Sequence, residues 1–265
     1  ILNILISVVL VTKFDLNIKG VAYGTFFSAL ITSIIFLIYT FWYLSKYAKI
    51  EIKFAQILNL KKIKDIFNIN LNIFIRTILL TFSFLWFTYL GTQIGEDYVA
   101  ANAILINLVF LSAFILDAYA FSTEGIVGYS LGKKDLTLFK NIVRNSFILS
   151  SISGLIISII FFFTNNFVIN FMSDIDEIRK LSSSYVIWLI ILPVISSFCY
   201  QFDGIFIGAS QTKELRNAMI FSVLVYLLIS ILLIKFLFNT GIWISLCIFM
   251  ILRAISLFWY LNRIY

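Results

Sequence analysis

The sequence predicts an all-α, polytopic transmembrane helical bundle of about eight helices, and three observations support this fold class. Hydrophobic residues make up 62% of the 265 residues, charged residues only 12%, and the mean hydropathy is +1.03. Soluble domains are closer to half apolar and a quarter charged. The apolar residues form long continuous runs rather than the every-second-residue alternation of a transmembrane β-barrel. Several runs reach the roughly 20 residues that a helix needs to cross a bilayer.

Breaks in the apolar runs divide the chain into eight predicted helices. The first is too short to span a bilayer and lacks an initiating Met, so we expect it to be the tail of a truncated span. Pro193 is the single proline of the chain and predicts a break within the sixth helix. In chain order, the predicted helices cover residues 1–11, 20–45, 68–92, 98–131, 136–163, 176–209, 213–238 and 241–262.

The first two and the last two predicted helices contain an internal repeat. The matches are LISVVLVTKF at 5–14 with LISILLIKF at 228–236, Gly20 with Gly241, and FWYL at 41–44 with FWYL at 258–261. Interfacial clustering of aromatic residues explains the last match but not the shared order of all three. The repeat predicts that residues 1–46 are the last two helices of an N-terminal lobe, 47–67 a basic cytoplasmic linker, and 68–265 a six-helix C-terminal lobe. Parallel repeats of this kind are typical of transporters.

The net charge of +7 does not indicate nucleic-acid binding, because most basic residues lie in loops between the apolar runs. Loops at one end of the helices hold most of them, including Lys49, Lys53 and Arg263. By the positive-inside rule these loops and the C-terminus face the cytoplasm. We therefore predict a multi-pass protein of the cytoplasmic (inner) membrane, with the lipid bilayer as its partner and no nucleic acid.

The sequence carries no catalytic signature. It has no glycine-rich phosphate loop, nucleophile elbow or metal-ligand cluster, and it contains no histidine. Cys199 and Cys247 lie in apolar runs without disulfide or zinc spacing, so we interpret them as small buried hydrophobes. We predict that the protein is not an enzyme and has no cofactor and no firm metal site.

Four charged residues lie within the predicted helices at comparable depth: Arg76, Asp117, Glu124 and Asp203. A charge at the bilayer centre costs at least ~2.5 kcal/mol, so we expect these residues to face one another or water. Asp117 and Glu124 are seven residues apart, which places both on one helix face. Three acids against one arginine suit binding of a proton, Na⁺ or a cationic organic substrate. Arg253 has no obvious partner and is open to a lipid head group or to one of these acids.

A purely structural role is the alternative for these charges. Arg76 paired with one or two of the acids, with Asp117 as the first choice, would fix the third, fourth and sixth predicted helices together. Glu124 would be an acid of the membrane interface. Asp203 is the leading candidate for ion or substrate binding, because a proline-broken span beside a buried acid recurs in transporter sites. Candidates for polar lining, each also interpretable as an interhelical hydrogen-bonding residue, are Asn102, Asn107, Tyr200 and Gln201.

Several of these regions carry a family resemblance. The runs are GTQIGED at 91–97, AANAIL at 100–105, LDAYA at 116–120, EGIVG at 124–128, LG at 131–132 and FDGIFIGASQTKELRNAM at 202–219. They resemble the eighth-span region and the junction of the tenth and eleventh spans in multidrug and toxic compound extrusion (MATE) transporters of the DinF-like branch. The resemblance covers nearly the whole chain, from a partial span five to span twelve of a 6+6 fold.

The resemblance implies a monomeric secondary antiporter, in which H⁺ or Na⁺ entry drives export of cationic or amphipathic drugs and toxins by alternating access. Asp203 is similar to the acid that the NorM-like branch uses for cation binding on its tenth span. The third helix departs from that branch, since it carries Arg76 and no carboxylate beyond Asp65. The first-span aspartate associated with proton coupling in the DinF-like branch would precede Ile1.

Two alternatives remain beside the antiporter. A lipid-linked oligosaccharide flippase of the same superfamily would require a cationic cavity for phosphates, and only Arg76 and Arg253 qualify within the spans. A non-transporting gene remnant would have no activity of its own.

Overall fold

The computed structural model describes residues 1–47, 59–261 and 264, and all regular structure within them is helical. The eight elements are α1 (Leu2–Thr12), α2 (Asn17–Tyr47), α3 (Leu60–Thr92), α4 (Glu96–Gly132), α5 (Leu136–Met172), α6 (Asp176–Ser184), α7 (Val186–Gly208) and α8 (Thr212–Leu261). Six of them are long and apolar enough to cross a membrane. The predicted all-α class is confirmed, and the described residues form eight helices, in agreement with the prediction of about eight.

The chain divides into two compact units, Ile1–Ile63 and Lys64–Tyr265. The predicted division into two lobes and a basic linker stays a prediction, because Lys49, Lys53 and the rest of residues 48–58 lie outside the described residues. The same holds for the predicted cytoplasmic position of Arg263.

The α1–α2 hairpin of the first unit has a counterpart within α8. The helical path of α8 breaks at Phe238 (φ 49°, ψ −131°), where the sequence predicts the junction between two helices. A Cβ atom added to Gly20 would lie 3.1 Å from the carbonyl carbon of Leu10, and one added to Gly241 would lie 2.6 Å from that of Leu233. Leu10 and Leu233 are equivalent positions in the repeat. The two hairpins therefore share the same close backbone contact.

Helix α3 begins at Leu60, earlier than the predicted start at Asn68. The side-chain oxygen of Asn59 accepts hydrogen bonds from the backbone N–H groups of Lys61 and Lys62, at 3.0 and 3.4 Å. A side-chain acceptor at this position satisfies N–H groups that have no partner inside the helix. Asn59 thus starts the helix within the segment predicted as linker.

Helix α5 continues to Met172, so the predicted loop that begins at Thr164 is wrong. The hydroxyl of Thr164 donates to the carbonyl of Ile160 at 2.7 Å, and the amide of Asn165 donates to that of Phe162 at 2.6 Å. Polar side chains that bond back to the preceding turn remain compatible with a helix. The polar pair therefore does not end α5.

The predicted sixth helix is interrupted at Tyr185 (φ −109°, ψ 7°) rather than at Pro193. The predicted break at Pro193 is wrong, because α7 is continuous through this residue. In the turn before the proline, the hydroxyl of Ser158 on α5 donates to the carbonyl of Ile190 at 2.5 Å. Neighbouring Ser and Thr side chains are one means by which membrane helices tolerate proline.

Helix α7 is the central helix of the second unit and contacts α4, α5 and α8. Against α4 its backbone comes especially close at Gly204 and Gly208, which lie on the backbone of Ala120 and Glu124. Large apolar side chains such as Phe163 point away from the core and are exposed. The second unit thus presents an apolar surface to the bilayer and encloses the polar side chains of α7.

Candidate functional site

The centre of the second unit holds a buried ionic cluster, which we call the Arg–Asp–Arg cluster: Arg76 on α3, Asp203 on α7 and Arg253 in the second half of α8. Asp203 Oδ2 accepts a hydrogen bond from Arg253 Nη2 at 2.7 Å and a second from Arg76 Nη2. The side chain of Arg253 is 1% exposed, that of Asp203 8% and that of Arg76 15%. One carboxylate oxygen therefore joins three helices inside the bundle.

Arg253 is held by its own helix as well as by the carboxylate. Its guanidinium lies 5.4 Å from the ring centroid of Phe249, and Nη1 donates to Met250 Sδ at 3.4 Å. A cation over an aromatic face is stabilised further when it is removed from water. These contacts on α8 aim the guanidinium at Asp203, so the sequence around Arg253 orients the charge.

The cluster retains unused hydrogen-bonding capacity. Asp203 Oδ1, Arg76 Nε and Arg253 Nε are buried and have no hydrogen-bond partner among the described residues. Buried polar atoms nearly always have a hydrogen-bond partner in the protein or in ordered water, so these three atoms can each form a further hydrogen bond. The cluster therefore differs from a fully satisfied ion pair.

Asp117 lies beside the cluster without joining it. Its carboxylate is half-buried and forms no hydrogen bond or ion pair within the described part of the chain, yet it lies within electrostatic range of Asp203, Arg76 and Arg253. Arg76 pairs with one of the predicted acids, but that acid is Asp203, so the predicted preference for Asp117 is wrong. The predicted excess of negative charge is also wrong here, since Arg253 balances the second acid.

Glu124 is separate from the cluster. It is half-buried and has no charged partner among the residues that the structure describes. The ammonium group of Lys133, nine residues further along the chain, lies 4.5 Å from the ring centroid of Tyr129. Asp117 and Glu124 are two helical turns apart on α4, and only Asp117 lies near the cluster.

The four candidates for polar lining fall into different environments. Tyr200 and Gln201 are buried next to Asp203 along α7, and Gln201 Oε1 accepts a hydrogen bond from the Thr123 hydroxyl at 3.0 Å. The Gln201 side-chain nitrogen is buried with no partner among the described residues. Asn107 is exposed on the surface of α4, so within the described residues it does not line a buried site.

Asn102 belongs to a second buried polar group, at the break of α8. Its amide exchanges two hydrogen bonds with Asn239, at 2.6 and 3.0 Å, and its oxygen also accepts from Trp243 Nε1 at 2.9 Å. Asn239 directly follows the non-helical residue Phe238. The sequence prediction includes Asn102 but misses Asn239. Asn239 could have been identified, because a polar residue at a helix junction within an apolar run indicates a buried hydrogen bond.

We expect Asn102→Ala to lower the stability of the protein by ~1–3 kcal/mol for each buried group left unpaired, namely the Asn239 amide and the Trp243 indole N–H. Thermal unfolding in detergent measures the loss. Asn107→Ala removes an exposed amide from the same helix and is the matched control. Equal unfolding midpoints for the two variants would contradict a structural role for the Asn102–Asn239 pair.

Comparisons with known proteins agree with this architecture. The MatE family profile matches residues 73–233, which is more than half of the chain. The chain belongs to the MATE family. It is 30% identical to DNA damage-inducible protein F of Escherichia coli over 260 residues, covering 97% of this chain and 56% of that protein. The predicted family and its DinF-like branch are confirmed.

Further relatives are similar over shorter stretches or in fold alone. The multidrug export protein MepA of Staphylococcus aureus is 29% identical over 129 residues, covering 49% of this chain and 28% of MepA. The structure of the Vibrio cholerae MATE transporter VcmN in the bent form matches with a TM-score of 0.83 and 18% identity, covering 99% of this chain and 59% of VcmN. The match covers 56% of the Escherichia coli protein and 59% of VcmN, so the chain spans little more than half the length of these two relatives. Members of this family are transporters rather than enzymes, in agreement with the prediction.

Proposed function

We propose that this chain forms part of a secondary antiporter that exports cationic or amphipathic organic compounds, such as drugs and toxins, in exchange for H⁺ or Na⁺. The observation that carries the proposal is the Arg–Asp–Arg cluster with Asp117 beside it, inside an apolar helical unit. Charged residues within membrane spans are costly and generally serve transport pathways. The name of MepA, a multidrug export protein, supports the substrate class.

Alternating access requires helices that can change partners, and the cluster lies where three of them meet. Asp203 on α7 bonds α3 through Arg76 and α8 through Arg253. A change of charge near Asp203 Oδ2 alters the attraction that holds these three helices together. An ion-pair network that can adopt two alternative sets of partners can couple a binding event to movement of the helices. We assign Asp203 and both arginines to positioning, with no need for a cofactor.

The orientation is part of the proposal. By the positive-inside rule, the basic loops support a cytoplasmic C-terminus, and we propose a monomer embedded in the inner membrane. The basic residues described at this side of the second unit include Lys133, Lys134 and Lys213.

Transport by the full-length protein in proteoliposomes tests the antiporter. We expect a gradient of H⁺ or Na⁺ to drive movement of ethidium, a cationic dye, and we expect an ionophore that collapses the gradient to stop it. No dye movement under either gradient would contradict the antiporter. It would leave two alternatives, the flippase considered next and a remnant without activity of its own.

A lipid-linked oligosaccharide flippase is the second candidate, because the two intramembrane arginines converge on one oxygen with both Nε atoms unpaired. Guanidinium groups match the geometry of phosphate oxygens. A fluorescent anionic lipid pyrophosphate in the same vesicles distinguishes the two candidates. Translocation of this lipid without ethidium transport would favour the flippase.

A further inference from the structure

A groove of about 560 Å³ lies between the two halves of α8, apart from the Arg–Asp–Arg cluster. Its apolar wall is formed by Phe221 in the first half of α8 and by Leu252, Ile255 and Trp259 in the second. Trp259 is 78% exposed and Phe221 53%, so the groove opens on the outer surface of the bundle. We call it the α8 groove. In a membrane such an opening faces lipid.

The α8 groove runs inward from one end of the bundle, which is the cytoplasmic end in the proposed orientation. Asn217 is five residues from the start of α8 and Trp259 is two residues from its end, so both lie within ~8 Å of that end. Phe221 and Leu252 are nine residues from the same two helix ends, at a depth of ~14 Å. Tryptophan is enriched at the level of the lipid head groups. The groove therefore has a polar mouth near the head groups and an apolar floor among the acyl chains.

A guanidinium group is held at the mouth of the groove. Asn217 Oδ1 accepts hydrogen bonds from Arg216 Nε at 3.1 Å and from Arg216 Nη2 at 2.9 Å. Arg216 Nη1 donates to Oδ1 of Asn72, a buried residue of α3, at 2.8 Å. Three bonds to neutral amides fix the direction of the guanidinium and leave two of its five N–H groups for another acceptor. These bonds position the group without neutralising it.

The positive charge of Arg216 has no counter-charge from the described residues. No carboxylate among them forms an ion pair with Arg216, and none of them that lines the α8 groove is acidic. A small inorganic anion would bind the charge but leave the apolar wall uncovered. A second copy of the chain, packed about a two-fold axis, would bring an identical uncompensated arginine to the same surface. A phospholipid supplies both parts in one molecule, a phosphate for Arg216 and an acyl chain for the groove.

We propose that the α8 groove binds an anionic phospholipid of the cytoplasmic leaflet. The phosphate accepts hydrogen bonds from the two remaining N–H groups of Arg216, and one acyl chain follows Phe221 and Leu252 towards the membrane interior. Guanidinium groups match phosphate oxygens in geometry, and basic pockets between membrane helices on the cytoplasmic side bind anionic head groups. A zwitterionic lipid fits less well, because no acid among the described lining residues receives its ammonium group. The site does not depend on the transported substrate or the coupling ion, and only the choice of leaflet rests on the proposed orientation.

Quenching of Trp259 by brominated lipids tests the site in the full-length protein. The protein is reconstituted in vesicles of phosphatidylcholine and phosphatidylglycerol, and the acyl chains of one lipid or the other are brominated in turn. The fluorescence that Trp259→Phe removes is the signal of Trp259, and its quenching by each lipid gives the relative occupancy of the groove. For wild type we expect about a fivefold preference for phosphatidylglycerol, the factor by which one basic residue near the surface favours an anionic lipid. Arg216→Gln should remove this preference.

Arg144→Gln is the matched control, because Arg144 is an exposed basic residue near the start of α5 and does not line the groove. We expect it to keep the wild-type preference. If Arg216→Gln fails to fold, Asn217→Leu takes its place, because Asn217 is exposed and its loss releases the guanidinium from the groove mouth while the bond to Asn72 remains. This variant should lower the preference.

Equal quenching by the two brominated lipids in wild type would overturn the proposal, since the groove would then accept any lipid. A preference for phosphatidylglycerol that survives the loss of Arg216, or of Asn217 where that variant is used, would also overturn it. So would a Trp259 signal that neither brominated lipid quenches, because a protein partner rather than lipid would then cover the groove.

Discussion

Asp203→Ala is expected to lower the stability of the protein by ~3–5 kcal/mol, because it leaves the Arg76 and Arg253 guanidinium groups buried without a counter-charge. Reaction with a thiol-specific fluorescent dye during heating measures the change. Both cysteines are free and buried, Cys199 at 0% exposure and Cys247 at 6%, so the dye reacts only as the bundle opens. A much lower midpoint than that of wild type is the expected result.

Two further variants isolate the cause of that loss. Asp174→Ala removes a solvent-exposed partner of Arg179, and a pair of this kind contributes little to stability. The triple substitution Asp203→Leu with Arg76→Met and Arg253→Met removes the whole cluster and should recover most of the stability, since apolar replacements of buried ion networks are often neutral or better. An Asp203→Ala midpoint as high as that of Asp174→Ala would contradict a stabilising role for the ion pairs.

The fold class was predictable because it depends on summed composition rather than on single contacts. Continuous apolar runs require helices in a bilayer, and the repeat located the junction that appears at Phe238. Helix ends were less predictable because local hydrogen bonds decide them. Asn59 starts α3 early, and Thr164 bonds back to its own helix instead of ending it. Pro193 weakens one turn, but the surrounding bundle keeps α7 continuous.

Most members of the site were predictable from the sequence, but their pairing was not. Because a charged side chain is costly inside a membrane span, Arg76, Asp117 and Asp203 could be identified as candidates from the sequence. The pairing of acids with arginines depends on how each helix is rotated about its axis. Sequence distance does not indicate it, since Arg253 lies 50 positions from its partner Asp203. Composition could not reveal that Arg253 belongs to the cluster, and its inclusion turns an apparent excess of acid into a balanced group. The distinction between a fixed and a free carboxylate therefore needed coordinates.

The contact between α4 and α7 also had a signal in the sequence that the prediction did not use. Gly204 and Gly208 form a G-x-x-x-G spacing, which favours close helix contact in membranes. A Cβ atom added to Gly204 would lie 2.9 Å from the carbonyl carbon of Ala120, and one added to Gly208 would lie 3.0 Å from that of Glu124. Real Cβ atoms rarely approach backbone so closely, so the two helices would have to separate.

We therefore expect the double variant Gly204→Ala with Gly208→Ala to lose ~1–3 kcal/mol at each position through overpacking. Gly125→Ala on α4 is the control, because nothing lies within 4 Å of its added Cβ atom. Replacing glycine by alanine inside a helix is otherwise favourable by about 1 kcal/mol, so this control should unfold at or above the wild-type midpoint. The thiol-reactive dye assay compares all three proteins. If the double variant matches Gly125→Ala, the backbone contact cannot be what holds α7, and with it Asp203, against α4.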